Sequence, residues 1–277
     1  DMTFFTDQYY SNGVEGRIYL PALKKSPLNY ILLPSGRGSR DYYSLSITHR
    51  IYTPVDIYEK WISHNDHPYA AYLLFGAHKE SYFPARRMKL SSGLQIGIIG
   101  PASGGETFQN TLHEYISIAD QVQGWDMQVK NDVCIQYSAR LEKGLVMTSW
   151  FETHAHLGAS LGVPHMQANT GLSIRAGYLK DYYKGMSIDL SPGLLAWVFC
   201  EGSLLIVNYN AVLQGGIVNQ DHVFTLDHIN NTIWHLRFGG AISWRSFSLE
   251  IGQEVNSPQF ETAQWHRWAY VGLTAGF

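Results

Sequence analysis

Hydrophobic and polar side chains alternate along most of this chain. Val14 and Ile18 share one parity, while Glu15 and Arg17 share the other. The same alternation recurs elsewhere, for example at residues 133–142. Because successive side chains of a strand point to opposite faces, these segments are predicted to be β-strands with one apolar and one polar face.

About a dozen such segments follow one another, and they are not separated by a linker or a low-complexity tract. We therefore predict an all-β fold: a single antiparallel barrel of about 12 strands, forming one domain over residues 1–277. The predicted strands are residues 14–20, 43–50, 69–77, 89–99, 133–142, 147–161, 167–178, 194–208, 232–244, 245–254 and 265–277.

The amino-acid composition indicates that the predicted barrel spans a membrane. Charged residues form 16% of the chain, aromatic residues form 14%, and the mean hydropathy is −0.15. The best candidate for a spanning helix, residues 194–207, is interrupted by Glu201, whereas such a helix needs about 20 apolar residues. A barrel with lipid outside and a polar lumen inside explains these features together. The predicted location is therefore a membrane, and about a dozen strands is within the range for outer-membrane barrels.

Charge, cysteines and chain ends refine the prediction. A formal net charge of −3 does not suggest a nucleic acid partner. Cys134 and Cys200 fall on strands that should not be neighbours, so two free thiols are expected. No signal peptide is visible, so we expect a mature form. The final residue, Phe277, ends an alternating segment, as a terminal aromatic does in bacterial outer-membrane proteins.

One stretch, residues 100–132, departs from the alternation. Gly100 and Pro101 form a turn signal, and Ser103 with Glu106 has the pattern of a capping box. A short helix is therefore predicted at about residues 103–120, within an insert on the extracellular side. On a 3.6-residue period, one face of this helix carries Gln109, His113, Ile116 and Asp120.

His113 is the strongest candidate for catalysis. It shares a helix face with a carboxylate, Asp120, in the main segment that is not a strand. A base and a carboxylate beside a wall of strand side chains are suited to hydrolysis. The alternative is that His113 has a structural role only.

Other motifs are better explained by structure. Residues 158–162 (GASLG) match the nucleophile elbow, but no helix is expected to follow them, so they are predicted to be small strand residues. His154 and His156 share a strand face and could bind a metal, with His165 as a further candidate, but polar lumen residues are the preferred interpretation. Surface or turn positions are predicted for His49, His64 and His67.

Seven stretches, spread from end to end, carry a family resemblance. They are residues 6–13 (TDQYYSNG), 51–54 (IYTP), 66–70 (DHPYA), 100–103 (GPAS), 109–113 (QNTLH), 123–131 (QGWDMQVKN) and 208–215 (NYNAVLQG). Through them the sequence resembles the lipid A 3′-O-deacylase family of Gram-negative outer membranes. The resemblance covers essentially the whole chain, and residues 123–131 are its longest and most specific part.

The resemblance implies an active site near the outer leaflet, between the barrel wall and a short helix. It also implies Ca²⁺-dependent ester hydrolysis that removes the 3′-linked acyloxyacyl chain from lipid A, by a mechanism similar to that of secreted phospholipase A2. Matched by position, His113 is the base, Asp1 orients it, and Ser11 is the hydroxyl residue. Asp120 matches the acidic residue after the histidine, and it joins Asp1 as an implied Ca²⁺ ligand.

Basic residues in or near predicted loops are candidates for binding the phosphates of lipid A or lipopolysaccharide. They are Arg37, Arg40, Lys79, Arg86 and Arg87. The alternative is that they are ordinary solubilising charges. Calcium could also bridge substrate phosphates. Three other functions stay open: an outer-membrane phospholipase, a porin or scaffold barrel without enzymatic activity, and a soluble lectin. No obligate protein partner is predicted.

Overall fold

The structure is an antiparallel β-sheet that curls into a nearly closed barrel. The computed structural model describes residues 8–63, 65–116, 122–186, 193–221 and 223–276. Within these ranges, eleven strands form one sheet in which each strand pairs with its neighbours in the chain. The sheet therefore confirms the predicted all-β barrel, with eleven strands in the described part.

The strands are long and are joined in sequential order. They are β1 (Tyr9–Tyr19), β2 (Arg40–Thr53), β3 (Ala70–Phe83), β4 (Met88–Ile99), β5 (Asp132–Met147), β6 (Phe151–Gly162), β7 (His165–Tyr178), β8 (Leu194–Asn210), β9 (Thr232–Trp244), β10 (Phe247–Asn256) and β11 (His266–Ala275). The rings of Tyr10 and Trp268 lie 5.0 Å apart and bring β1 and β11 together. No helix in the described ranges is both long and apolar enough to cross a bilayer.

The predicted parity of the strands is confirmed. Apolar residues on the outer face are exposed where lipid would lie, as at Ile47, Phe75 and Leu157. The inner face carries ion pairs, such as Lys89 with Glu80 at 3.2 Å. A sheet of this kind satisfies its backbone groups and places apolar side chains against lipid.

The connections alternate between the two ends of the barrel. The turn end carries connections 20–39, 84–87, 148–150, 179–193 and 245–246. The helix end carries connections 54–69, 100–131, 163–164, 211–231 and 257–265. Outer-membrane barrels place their longer loops outside the cell and their short turns in the periplasm, which assigns the helix end, with the long connection 100–131, to the cell exterior.

The helix end is filled by an apolar cluster around the short helix α2 (Ala211–Gln214). Val212 and Leu213 are buried there with Tyr72, Ile99 and Phe260. The sequence predicts an irregular insert at residues 208–216; in the structure β8 continues to Asn210, and α2 follows directly. The side chain of Asn210 accepts a hydrogen bond from Val212 N at 3.2 Å and caps this turn.

The predicted helix of the long insert is present as α1 (Gly105–Ile116), but it starts differently. Pro101–Ser103 forms a 3-10 turn, and Gly104 adopts φ 77°, in the left-handed region that suits glycine. The Ser103 hydroxyl donates to Gly100 O at 2.7 Å. The predicted capping box is therefore wrong, because a tight turn precedes the helix.

Several smaller predictions can be compared with the structure. His154 and His156 are buried in the lumen as predicted, and both cysteines are free. Residues 158–162 end β6 as predicted, with no helix after them. Two histidines depart from the prediction: His49 lies on the wall beneath α1, and His67 is fully buried. His64 and Phe277 lie outside the described residues.

Candidate active site

The helix α1 packs against the outer wall of the barrel, outside the lumen. A Cβ placed on Gly105 would lie 2.2 Å from the Cβ of Ala71. Phe108 meets His49 edge to face at 5.3 Å. Ala71 and His49 share the parity of the lipid-facing Phe75 and Ile47 on β3 and β2. The helix therefore covers the wall at the level where the strands reach the helix end.

Trp125 holds the middle of α1. Its indole Nε1 donates to Gln109 Oε1 at 3.2 Å, and its ring lies 5.0 Å from that of Tyr69. Trp125, Tyr69 and Ile51 belong to one buried cluster between the wall and the insert. A buried amide carbonyl that accepts a hydrogen bond avoids the desolvation cost of an unpaired group. The Trp125 contact therefore fixes the rotation of α1 about its axis.

His113 lies one helical turn after Gln109, on the same face. It is only 9% exposed, while the next residue, Glu114, is exposed. α1 starts over β3 at Gly105 and crosses β2 at Phe108, and β2 meets β1 at the seam on its other side. The burial of His113 places its imidazole on the wall-facing side of α1, as the helical period predicts.

Two hydroxyls lie at that seam. Ser11 Oγ and Thr53 Oγ1 are 2.5 Å apart and buried. Ser11 lies where the pairing of β1 with β2 shifts by one residue, between Tyr10 and Asn12, as in a β-bulge, which re-aims side chains. Ser11 and His113 both line a cavity of about 2450 Å³ that also extends through the lumen. Both residues therefore border the same continuous cavity, and a shared site formed by His113 and Ser11 stays a prediction.

The loop of residues 54–69 completes the surroundings of the helix. Gln123 N donates to Ile57 O at 2.9 Å, and Val129 N donates to Tyr69 O at 2.9 Å. His67 anchors this loop: its Nδ1 donates to Pro68 O at 2.6 Å, and its ring stacks on Tyr52 at 5.6 Å. Burial away from water lowers the pKa of His67 to about 4, so its ring is neutral at neutral pH. Burial also raises the pKa of Asp66.

The two predicted carboxylates of the site, Asp1 and Asp120, lie outside the described residues. The described surroundings supply hydroxyl oxygens from Ser11 and Thr53, and Ca²⁺ prefers hard oxygen ligands. In the described part of the chain, no three His, Cys, Asp or Glu side chains are grouped closely enough to hold a metal. A calcium site thus stays a prediction that depends on Asp1 and Asp120.

The five predicted phosphate-binding residues do not join this site. Arg37 and Arg40 lie in or next to connection 20–39, and Arg86 and Arg87 lie in turn 84–87, so all four are at the turn end. Lys79, on the turn-end half of β3, donates to Leu33 O at 3.0 Å and is buried. The long strands separate these residues from His113. The structure therefore does not group these five residues with His113, and their role in binding phosphates stays a prediction.

Two contacts around the site were not predicted from the sequence. Thr53 and Trp125 fall within stretches 51–54 and 123–131, but no local pattern predicts that they contact Ser11 and Gln109. Likewise, nothing in the sequence around Gly105 indicates that it packs against Ala71. The result is a buried imidazole on the face of α1 that carries Gln109, at the wall that faces lipid, and a pair of buried hydroxyls where β1 meets β2.

The comparisons with known proteins agree with this architecture. A family model described as "Outer membrane protein LpxR" matches residues 1–277. The solved structure described as LpxR from Salmonella typhimurium is similar to this chain with a TM-score of 0.80 and 19% identity, over 98% of this chain and 90% of that one. At this identity the structural likeness shows the fold. No curated protein matches the chain.

Proposed function

This chain belongs to the LpxR family of outer membrane proteins, and on that premise we propose that it is a lipid A deacylase. The proposed reaction is Ca²⁺-dependent hydrolysis of the ester that links the 3′ acyloxyacyl chain to lipid A. The observation that carries the proposal is the position of His113, buried between α1 and the outer wall of the barrel. A lipid in the outer leaflet could reach this position without entering the lumen.

In the proposed reaction His113 acts as a general base, because imidazole exchanges protons readily near neutral pH. It takes a proton from water while the water oxygen attacks the ester carbonyl carbon. The bond from that carbon to the sugar oxygen then breaks, and the proton passes to the sugar oxygen. The products are a free fatty acid and a sugar hydroxyl.

The other site residues position these groups. Trp125 and Gln109 hold the face of α1 that carries His113. The pair Ser11 and Thr53 provides hydroxyls at the seam where the ester would lie. Asp1 is proposed to orient the imidazole, and Asp1 and Asp120 are proposed to bind calcium. Calcium would supply the positive charge that stabilises the developing oxyanion.

Mass spectrometry of lipid A tests the proposal. Detergent-purified protein is incubated with lipid A in Ca²⁺ or in EDTA, using wild type and His113→Gln. Wild type in Ca²⁺ should remove one acyloxyacyl unit, and EDTA or the substitution should lower the rate by at least about 10²-fold. Glu114→Gln is the matched control, because Glu114 is the exposed neighbour on the same helix.

Each other outcome has a definite meaning. If folded wild type leaves lipid A intact with calcium present, the proposal fails. Glycerophospholipids added to the same micelles test the phospholipase alternative, which predicts their cleavage instead. If His113→Gln retains full activity on lipid A, the deacylase assignment stands but His113 is not the base.

A further inference from the structure

The exposed charged residues are mostly basic at the turn end of the barrel and mostly acidic at the helix end. In the described part of the chain, the exposed basic residues of the turn end are Lys24, Lys25, Arg37, Arg40, Arg86, Arg87, Lys143, Lys184 and Arg245. The exposed acidic residues of the helix end are Asp56, Glu59, Glu106, Glu114, Asp126, Asp221, Asp227 and Glu261. A formal net charge of −3 therefore hides a strongly basic end.

The acidic residues of the turn end do not neutralise this surface. Asp41 accepts a hydrogen bond from Ser35 Oγ at 2.5 Å. Asp181 accepts from Tyr183 N at 3.0 Å and lies 4.0 Å from Lys184. Other basic side chains have no ion-pair partner among the described residues: Lys24, Lys25, Arg37, Arg86 and Arg87.

The connection of residues 20–39 lies on the outside of the barrel wall. Leu33 N donates to Ser92 Oγ at 3.0 Å, and Leu33 O accepts from Lys79 Nζ at 3.0 Å. Tyr137 OH donates to Ile31 O at 3.2 Å. Ser92, Lys79 and Tyr137 all share the parity of lipid-facing residues on their strands. This connection therefore reaches from β1 across the wall to β5 on the membrane side.

The same connection exposes apolar and basic side chains together. Tyr30 is 93% exposed and Ile31 53% exposed, and they follow Lys24 and Lys25 closely in the chain. Other exposed aromatic residues ring this end: Trp150, Tyr178, Trp244 and Phe247. Aromatic rings and long basic side chains together are typical of the headgroup layer, where the rings meet acyl chains and the cations meet phosphates.

We propose that the turn end is a docking surface for anionic phospholipid headgroups. Residues 20–39 rest in the headgroup layer, and Lys24 and Lys25 bind lipid phosphates there. Arg86 and Arg87 of the neighbouring turn extend the same surface. A basic side chain near an anionic bilayer adds about 1 kcal/mol of attraction, or about fivefold in affinity. This surface holds the barrel at a defined depth, and its partner is a glycerophospholipid such as phosphatidylglycerol.

Lipid retention by the full chain tests this proposal. The protein is placed in bilayers of phosphatidylcholine and phosphatidylglycerol in equal parts, released gently, and the lipids that remain bound are counted by native mass spectrometry. Wild type should retain phosphatidylglycerol over phosphatidylcholine. The variant K24Q/K25Q/R86Q/R87Q should lose this preference by about tenfold or more, while K60Q/R267Q, which removes two charges at the helix end, should keep it.

Two further measurements make the result decisive. Heat-modified mobility on gels shows that each variant is folded, and the lipid A assay reports on the active site. Equal retention of the two lipids by wild type overturns the proposal, as does an unchanged preference in the quadruple variant. If the quadruple variant loses deacylation but keeps its preference for phosphatidylglycerol, the surface serves the substrate, and the proposal also fails.

Discussion

Gly105 of α1 rests on Ala71 of β3, and the contact leaves no room for one more methyl group. A Cβ on Gly105 would lie 2.2 Å from the Cβ of Ala71 and 3.1 Å from the ring of Trp125. Neither neighbour is the free end of a flexible chain. This close approach of a helix to a strand brings the later turn of α1, with His113, down onto the barrel wall.

The substitution Gly105→Ala should therefore displace α1 from the wall. Overpacking of this kind costs about 1–3 kcal/mol, and a displaced catalytic group lowers turnover steeply, so deacylation should fall at least about tenfold. Limited proteolysis within residues 100–131 should become faster, while the barrel keeps its heat-modified mobility. The double variant Gly105→Ala with Ala71→Gly restores the space, and failure to recover activity would contradict this explanation.

Trp125→Phe tests the contact that sets the rotation of α1. It keeps an aromatic ring beside Tyr69 but removes the N–H that donates to Gln109. We expect α1 to be less stable by about 1–2 kcal/mol, with faster amide exchange in α1 and a lower kcat. Trp61→Phe is the control, because Trp61 is exposed on the neighbouring loop. Equal effects of the two substitutions would show that the hydrogen bond is unimportant.

Burial of His67 predicts a pH-dependent opening of loop 54–69. Its pKa is about 4 in the folded loop, chiefly through burial, against about 6.5 when it is solvated. Protonation therefore favours the open loop. The contribution of the neutral His67 ring to the free energy of opening the loop is fully present above about pH 6.5. It falls by on the order of 3 kcal/mol as the pH drops towards 4.

Amide exchange at residues 54–69 measures this opening between about pH 7 and pH 4, corrected for intrinsic exchange. His67→Gln should remove the part of the pH dependence that belongs to the imidazole. The neighbouring Asp66 is retained in both proteins, so its own titration cancels in the comparison. An unchanged pH profile in His67→Gln would assign the opening to another group.

Charge pairing in the lumen predicts a large effect from one lysine. Lys89 Nζ lies 3.2 Å from Glu80 and 3.9 Å from Glu142, and all three side chains are almost buried. Removing one partner from buried ion pairs costs about 3–5 kcal/mol, so Lys89→Met should lower the temperature of heat modification clearly. Lys184→Met breaks an exposed pair with Asp181 and should change it little. Similar shifts for both would mean that the lumen is well hydrated.

The positions of the strands and their inner and outer faces were predictable because the alternation of apolar and polar residues is a local pattern. Residues 232–244 are a strand in the sequence prediction and in the structure, where they form β9. Glu152, His154 and His156 point inwards as their parity requires. Each assignment depends only on neighbours two residues away.

The candidate site was predictable only in part. A helical period places Gln109 and His113 on one face, and both are buried. The seven matched stretches imply that Ser11 and His113 belong to one site, which stays a prediction; in the structure both border one large cavity. The contacts Trp125–Gln109 and Gly105–Ala71 were not predictable, because they join residues whose distances depend on the insert folding back onto the outside of the barrel.

The local sequence also did not predict at which end of the barrel the basic loop residues lie. Arg37 and Arg87 lie in loops, as their local sequence indicates, yet they lie at the end of the barrel opposite α1. The order of the predicted strands already implies that Arg37 and Arg87 lie at the opposite end from residues 100–132, because successive connections of an antiparallel barrel alternate between its two ends.

The strands, their inner and outer faces, the helix in the long insert and the position of His113 on it follow from periods of two and 3.6 residues, which the amino-acid sequence shows directly. The side of the barrel wall on which α1 and residues 20–39 lie is known only from the folded chain, because it depends on contacts with strands that are distant in the sequence.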